Sequence, residues 1–151
     1  MMADVRDLYK TAIIDHYSRP RNFREIEGAN RRAEGFNSLC GDRFCVYLRI
    51  AGGIVEDIGF TGTGCAISTA SASMMTDSLK GKTEEEVRII SERFRQLVNG
   101  PVDTQSNAAA MGTLAVFSGL RKYPVRAKCA ALAWNTMRAA LDEKGEIVKS
   151  E

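Results

Sequence analysis

Phe44-Cys45-Val46-Tyr47-Leu48-Arg49-Ile50, then Ala51-Gly52-Gly53, then Ile54-Val55-Glu56-Asp57-Ile58-Gly59-Phe60 is the stretch that decides the fold. Phe44, Val46, Leu48 and Ile50 alternate with Cys45, Tyr47 and Arg49, the two-residue period of a half-buried strand. Ala51-Gly52-Gly53 is a hairpin signal. Val55, Ile58 and Phe60 give the returning strand its apolar content. Residues around 35–39 add an edge strand, so a small antiparallel three-stranded meander is expected over about residues 35–61.

Outward from this sheet the periodicity becomes helical. Upstream, residues 4–18 carry Val5, Leu8, Ala12, Ile13 and Ile14 at helical spacing, with Asp4 as a cap. The residue before Pro20 disfavours helical angles, so the helix stops there, and residues 19–32 read as an irregular connection. Downstream, residues 66–144 read as helical. Ile67, Ala70, Met74 and Leu79 form a stripe on the first helix, which Gly81 ends. Thr83 with Glu86 matches a capping box opening the second, whose apolar face is Val87, Ile90, Phe94, Leu97 and Val98. Asn99-Gly100-Pro101 breaks it. A third, shorter helix is expected over residues 108–120. Pro124 suits the first position of the last helix, which runs through Cys129, Leu132, Met137 and Leu141, followed by a frayed tail. One helix, a few strands and then several helices imply a single α+β domain over residues 1–151, with helices packed on one face of the sheet.

Composition narrows the function classes. The chain has 151 residues, 44% of them hydrophobic, enough to build a core without disulfides. A formal net charge of +2 lacks the basic stripe of a nucleic-acid binder. Arg19, Arg21, Arg24, Arg31 and Arg32 are interleaved with acidic and small residues, and read as a solvated surface or as a docking surface for an acidic partner. No apolar run reaches the roughly 18–20 residues that span a bilayer. Met1-Met2-Ala3-Asp4 does not resemble a secretory signal. The chain therefore reads as cytoplasmic, where its four cysteines are expected as free thiols, nucleophiles or metal ligands.

Cys40-Gly41-Asp42 precedes the first clear strand, and Cys65 follows the second at the start of a helix. Antiparallel pairing brings these two cysteines to the same end of the sheet. No such argument places Cys129, in the first turns of the last helix. A thiolate at a helix N-terminus is stabilised by exposed N–H groups and the dipole, which suits Cys65. Three thiolates and a carboxylate satisfy a closed tetrahedral zinc site by ligand count. Each cysteine taken singly also suits a core position, since free cysteine is often buried as a small hydrophobe, and no C-x-x-C pair is present.

Several ordered blocks resemble one family. They are Leu8-Tyr9 with Asp15-His16-Tyr17, Pro20-Arg21-Asn22, Cys40-Gly41-Asp42, the run from Gly62-Thr63-Gly64-Cys65 to Ser73-Met74-Met75-Thr76, and Arg126-Ala127-Lys128-Cys129-Ala130. Together they resemble the NifU N-terminal, IscU and SufU family of iron–sulfur cluster assembly proteins. Lys128 stands where IscU types carry a histidine, and the long segment between Cys65 and Cys129 is similar to the SufU branch. The resemblance implies an antiparallel sheet with helices on one side and zinc held by Cys40, Asp42, Cys65 and Cys129. It also implies a partner, a pyridoxal-phosphate cysteine desulfurase of the SufS type. Cys40 is then the acceptor of persulfide sulfur, freed from zinc when a partner histidine takes its place, with an iron–sulfur scaffold or apoprotein as the downstream acceptor.

Two other functions use the same residues. One is a scaffold that assembles a [2Fe–2S] cluster, with iron in place of zinc, and passes it on. The other is a structural zinc adaptor domain. Lys128 and Arg126 either steady a leaving thiolate or persulfide, or form a solvated helix face. Cys45 alternates away from Phe44 and Val46 and reads as an incidental strand residue. His16, the single histidine, reads as a structural or partner-contact residue.

Overall fold

The computed structural model describes residues 5–99, 112–142 and 147–149. Helix α1 (Val5–Ser18) ends before Pro20 as expected; its proposed cap, Asp4, lies outside the described residues. Strands β1 (Arg31–Asn37), β2 (Asp42–Ala51) and β3 (Ile54–Thr63) form an antiparallel meander. The hairpin turns at Gly52-Gly53, both with positive φ. Sheet structure starts at Arg31, so the irregular connection is shorter than its composition suggests.

A further strand, β4 (Ile147–Lys149), pairs parallel with β1 and completes the order β3-β2-β1-β4. This corrects the expectation of a frayed tail. The unpaired edge of β1 offers a row of backbone donors and acceptors, which Ile147-Val148-Lys149 takes up.

One face of the sheet carries the main core. Phe44, Val46, Leu48 and Ile50 point into it and are buried. The opposite face is not open to water as the half-buried reading assumed. The connection at residues 19–30 crosses it, and Ile26 and Ala29 cover Cys45 and Tyr47 there.

Helix α2 (Ala66–Leu79) is buried on nearly all sides, well beyond the expected stripe. Its small polar residues make this affordable because each finds a partner. Ser71 donates to the Ala130 carbonyl at 2.6 Å and accepts from Trp134 Nε1 at 3.1 Å. Thr76 Oγ1 donates to the Ser73 carbonyl at 2.8 Å. Among the described residues no buried side-chain nitrogen or oxygen lacks a partner.

Helix α3 (Glu84–Asn99) opens with the expected capping box: Glu86 N–H donates to Thr83 Oγ1, and Thr83 N–H to Glu86 Oε1. The third helical segment differs from expectation. It is a 3-10 helix at Gly112–Lys122 rather than an α-helix over 108–120, of which 108–111 lie outside the described residues. Leu114, Phe117 and Leu120 recur every third residue and are all buried, so a three-residue turn aligns them on one stripe where an α-helix would fan them out. Pro124 opens α4 (Pro124–Leu141). Trp134 of α4 stacks on Phe94 of α3 at 4.4 Å between ring centroids.

His16 joins α1 to α2. Its Nδ1 lies 2.7 Å from Ser73 Oγ, which also accepts the Arg21 N–H. Burial, with the Arg21 charge, holds the imidazole below its usual 6.5. The unfolded chain therefore takes up the proton first as pH falls. The stability this residue contributes is whole above about pH 6.5 and is lost below it, by at most about 1.4 kcal/mol per pH unit. Urea unfolding at intervals between pH 7 and pH 5 is expected to show this slope in the wild type and a flatter one in His16→Gln. Equal slopes in the two proteins would refute the assignment.

Candidate metal centre

The β1–β2 connection is a turn at residues 38–41 closed by the pairing of Asn37 with Asp42. Cys40 stands exposed on it. Gly41 follows with φ +68°, a left-handed value that lets the chain reverse and bury Asp42 at the first position of β2. At the same end of the sheet β3 runs into Gly64 and Cys65, the residue that caps α2. The expected closeness of Cys40-Gly41-Asp42 and Cys65 thus follows from the hairpin.

Asp42 divides its two oxygens. Oδ1 accepts the Cys65 N–H at 2.9 Å and ties β2 to the start of α2. Oδ2 lies 4.0 Å from Cys65 Sγ. The Cys65 sulfur in turn accepts from Ser68 N–H at 3.4 Å, so it occupies the N-cap at the positive end of the helix dipole. Gly64 has no room for a side chain, because a Cβ would sit 2.7 Å from Phe44 Cζ and 3.0 Å from Asp42 Oδ1.

Cys129 arrives on α4, which lies against β1. The approach depends on Gly35, where a Cβ would run into Thr136 and Leu132 of α4. Cys129 is 2% exposed, and its Sγ is 2.9 Å from Cys40 Sγ and 3.7 Å from Asn37 Nδ2. Burial pushes this thiol strongly up. The Cys40 thiol and the negative charge available to Cys65 and Asp42 push it the same way.

Ligand atoms of Cys40, Asp42 and Cys129 all lie within 4.8 Å of one another, a set able to hold a metal ion. Cys65 borders the trio through Asp42 without joining it at that spacing. Thiolate-rich donors suit zinc or iron–sulfur chemistry. Two sulfurs on one tetrahedral zinc stand about 3.8 Å apart for Zn–S bonds near 2.3 Å, so Cys40 and Cys129, at 2.9 Å, would have to separate to share such an ion.

The remaining residues singled out from the sequence sit elsewhere. The Arg126 guanidinium lies over the Tyr123 ring at 5.2 Å. Lys128 is exposed, whereas Cys129 beside it is buried. Cys45 is buried on the outer sheet face with Ile26 and Tyr47, and His16 is held by Ser73. The sequence reading missed Asn37, which contacts Cys129 and whose Oδ1 accepts the Leu39 N–H at 3.1 Å. Its signal was present, since asparagine at a turn commonly binds the backbone two residues on.

Residues 8–130 match the NifU-like N terminal domain. The chain belongs to this family. It is 37% identical over 149 residues to the zinc-dependent sulfurtransferase SufU of Bacillus subtilis strain 168, covering 99% of this chain and 95% of that protein. It is 35% identical over 142 residues to the iron–sulfur cluster assembly scaffold protein IscU of Streptococcus pyogenes serotype M1, covering 93% and 86%. The crystal structure of an iron–sulfur cluster assembly scaffold protein for the SUF system from Fervidobacterium islandicum AW-1 superposes with a TM-score of 0.80 at 31% identity, covering 90% of this chain and 98% of that one. The family is one of iron–sulfur cluster assembly proteins, and the fold expected from the resemblance is the fold observed. Among the described residues no helix is long and apolar enough to cross a membrane.

The Gly64-Cys65 junction before α2 is sterically tight. Gly64→Ala is expected to lower stability by about 1–3 kcal/mol, the usual cost of overpacking, through displacement of the Phe44 ring and the Asp42 carboxylate. Thermal unfolding of the metal-free protein measures it, and a melting temperature equal to that of the wild type would show that the junction has slack.

Proposed function

We propose that this chain is a zinc-dependent sulfur acceptor that works with a SufS-type, pyridoxal-phosphate cysteine desulfurase in the cytoplasm. Cys40, Asp42, Cys65 and Cys129 are its zinc ligands, and Cys40 is the acceptor. The observation that carries the reading is a gradient of exposure across the donor set. Asp42 and Cys129 are buried and Cys65 is half-buried, whereas Cys40 stands in solvent on a turn. A partner's persulfide can reach one of these thiols readily, and it is that one.

Bound zinc supplies the positive charge that keeps the crowded thiols ionised at neutral pH. The chain's own groups do the rest. Asp42 and Cys65 are fixed to each other by the Cys65 N–H, and Cys129 is held inside α4, so the turn carrying Cys40 is the part free to engage the donor. The Cys40 thiolate attacks the outer sulfur of the desulfurase persulfide. A bond forms from Cys40 Sγ to that sulfur, and the bond from that sulfur to the donor cysteine breaks. The donor cysteine leaves as a thiolate, so charge balances and no external oxidant is consumed. Delivery to an iron–sulfur scaffold or apoprotein repeats the exchange with Cys40 persulfide as the donor.

The relatives named IscU support a second reading, a scaffold that assembles and transfers a [2Fe–2S] cluster on the same residues. Lys128, in the place of a histidine ligand, argues for sulfur transfer instead.

Protein purified without oxygen is expected to carry about one zinc per chain and to stimulate a SufS-type desulfurase. Cys40→Ser is expected to return turnover to the rate of the desulfurase alone, and Cys45→Ser to leave stimulation intact. Full stimulation by Cys40→Ser would reduce the chain to a structural zinc adaptor. A coloured cluster that transfers to an apo-ferredoxin, without zinc-dependent stimulation, would establish the scaffold instead.

A further inference from the structure

Asn37 is fully buried at the last position of β1, at 0% exposure, where a side chain with both a donor and an acceptor is costly unless both are used. Both are used, and on different parts of one site. Oδ1 accepts the Leu39 N–H at 3.1 Å and so braces the turn that carries Cys40. Nδ2 donates to Cys129 Sγ at 3.7 Å. The orientation of the carboxamide follows from its partners: the Leu39 N–H is a donor, so the oxygen faces it and the NH2 is left for the sulfur. The backbone of Asn37 pairs with Asp42, which places it opposite a second candidate ligand across the β1–β2 ladder.

We infer that Asn37 is a positioning residue for the metal centre, clamping the Cys40 turn to the Cys129 sulfur and orienting that sulfur through its Nδ2 contact. The inference rests on the metal-centre reading above. Its chemistry is specific to asparagine. Aspartate would keep the brace but offer no donor to the sulfur, and would add a negative charge beside Asp42. Serine would reach the Leu39 N–H but not Cys129. Groups that hydrogen-bond to a ligand atom orient it and adjust its electron density, and their loss costs metal affinity even where the ligands remain.

The test uses the full chain, metal-free and without oxygen, loaded with zinc or with cobalt(II) as a spectroscopic substitute. Asn37→Ala is expected to keep the circular dichroism of the wild type and bind the same amount of zinc. It is expected to lose about 10–100-fold in affinity in competition with a chromogenic chelator. The thiolate-to-cobalt charge-transfer band is expected to move to lower energy, because the sulfur has lost a donor; looser packing alone would not shift it that way. Asn37→Ser is expected to show the same band shift with a smaller loss of affinity, and it decides the matter if the alanine variant does not fold. Wild-type affinity and an unmoved band in both variants would overturn the inference while leaving the metal centre standing. A wild-type chain that takes up neither zinc nor cobalt would overturn the metal centre itself, and this inference with it.

Discussion

A buried carboxylate beside crowded sulfurs is the constraint on which this structure turns. Asp42 has no exposed surface, and ligand atoms of Cys40 and Cys129 lie within 4.8 Å of it. Two like charges about 4 Å apart repel by about 4 kcal/mol at an effective dielectric constant near 20. At Cys129 burial is the larger effect, and the Asp42 charge pushes the thiol up in the same direction. The N-terminus of α2 offsets part of the charge at Cys65. A cation at this end of the sheet would offset that crowding, and under the proposed metal-centre reading its binding would be coupled to proton release from Cys129.

The rest of the fold keeps those groups close in spite of that repulsion. Helix α2 cannot drift from the sheet, because the Asp42 carboxylate receives the Cys65 N–H and because Ser71 and Ser73 tie the helix to α4, α1 and the residues after α1. Helix α4 is pressed against β1 over Gly35 and against α3 through the Phe94–Trp134 stack. Small residues perform this work on both helices. Serine, threonine and alanine let backbones approach, and their hydroxyls replace the hydrogen bonds with water that burial removes.

This division explains how much could be read from the chain. The hairpin, the α3 capping box and the start of α4 are local features, each set by residues a few positions apart, and each was legible. The placement of Cys129 was not, because it depends on a glycine in β1 meeting a threonine in α4 about a hundred residues later. The same holds for β4, whose pairing depends on an edge formed elsewhere, and for the cover over Cys45 and Tyr47, which comes from residues 19–30. The 3-10 segment was missed for another reason. Leu114, Phe117 and Leu120 satisfy the i, i+3 spacing of an α-helix as well, and only burial of all three on one stripe separates the two. The likeness to IscU and SufU supplied the residue set that geometry alone leaves open.

Within that set the ligand candidates are not equivalent, and their differences follow from the elements that carry them. Asp42 belongs to a strand paired on both sides, Cys129 to the interior of a long helix, and Cys65 to a helix cap held by two groups of Ser68. Moving any of these means breaking ladder or helix hydrogen bonds. Cys40 sits on a turn whose left-handed Gly41 is open on every side, with Leu39 beside it 61% exposed. Among the described contacts, the Asn37 brace and the Cys40–Cys129 sulfur contact tie that turn to the rest of the site. On the proposed sulfur-transfer reading, such a construction would let the buried members hold an ion while the exposed member exchanged, which is what passing sulfur between proteins without losing the metal would require.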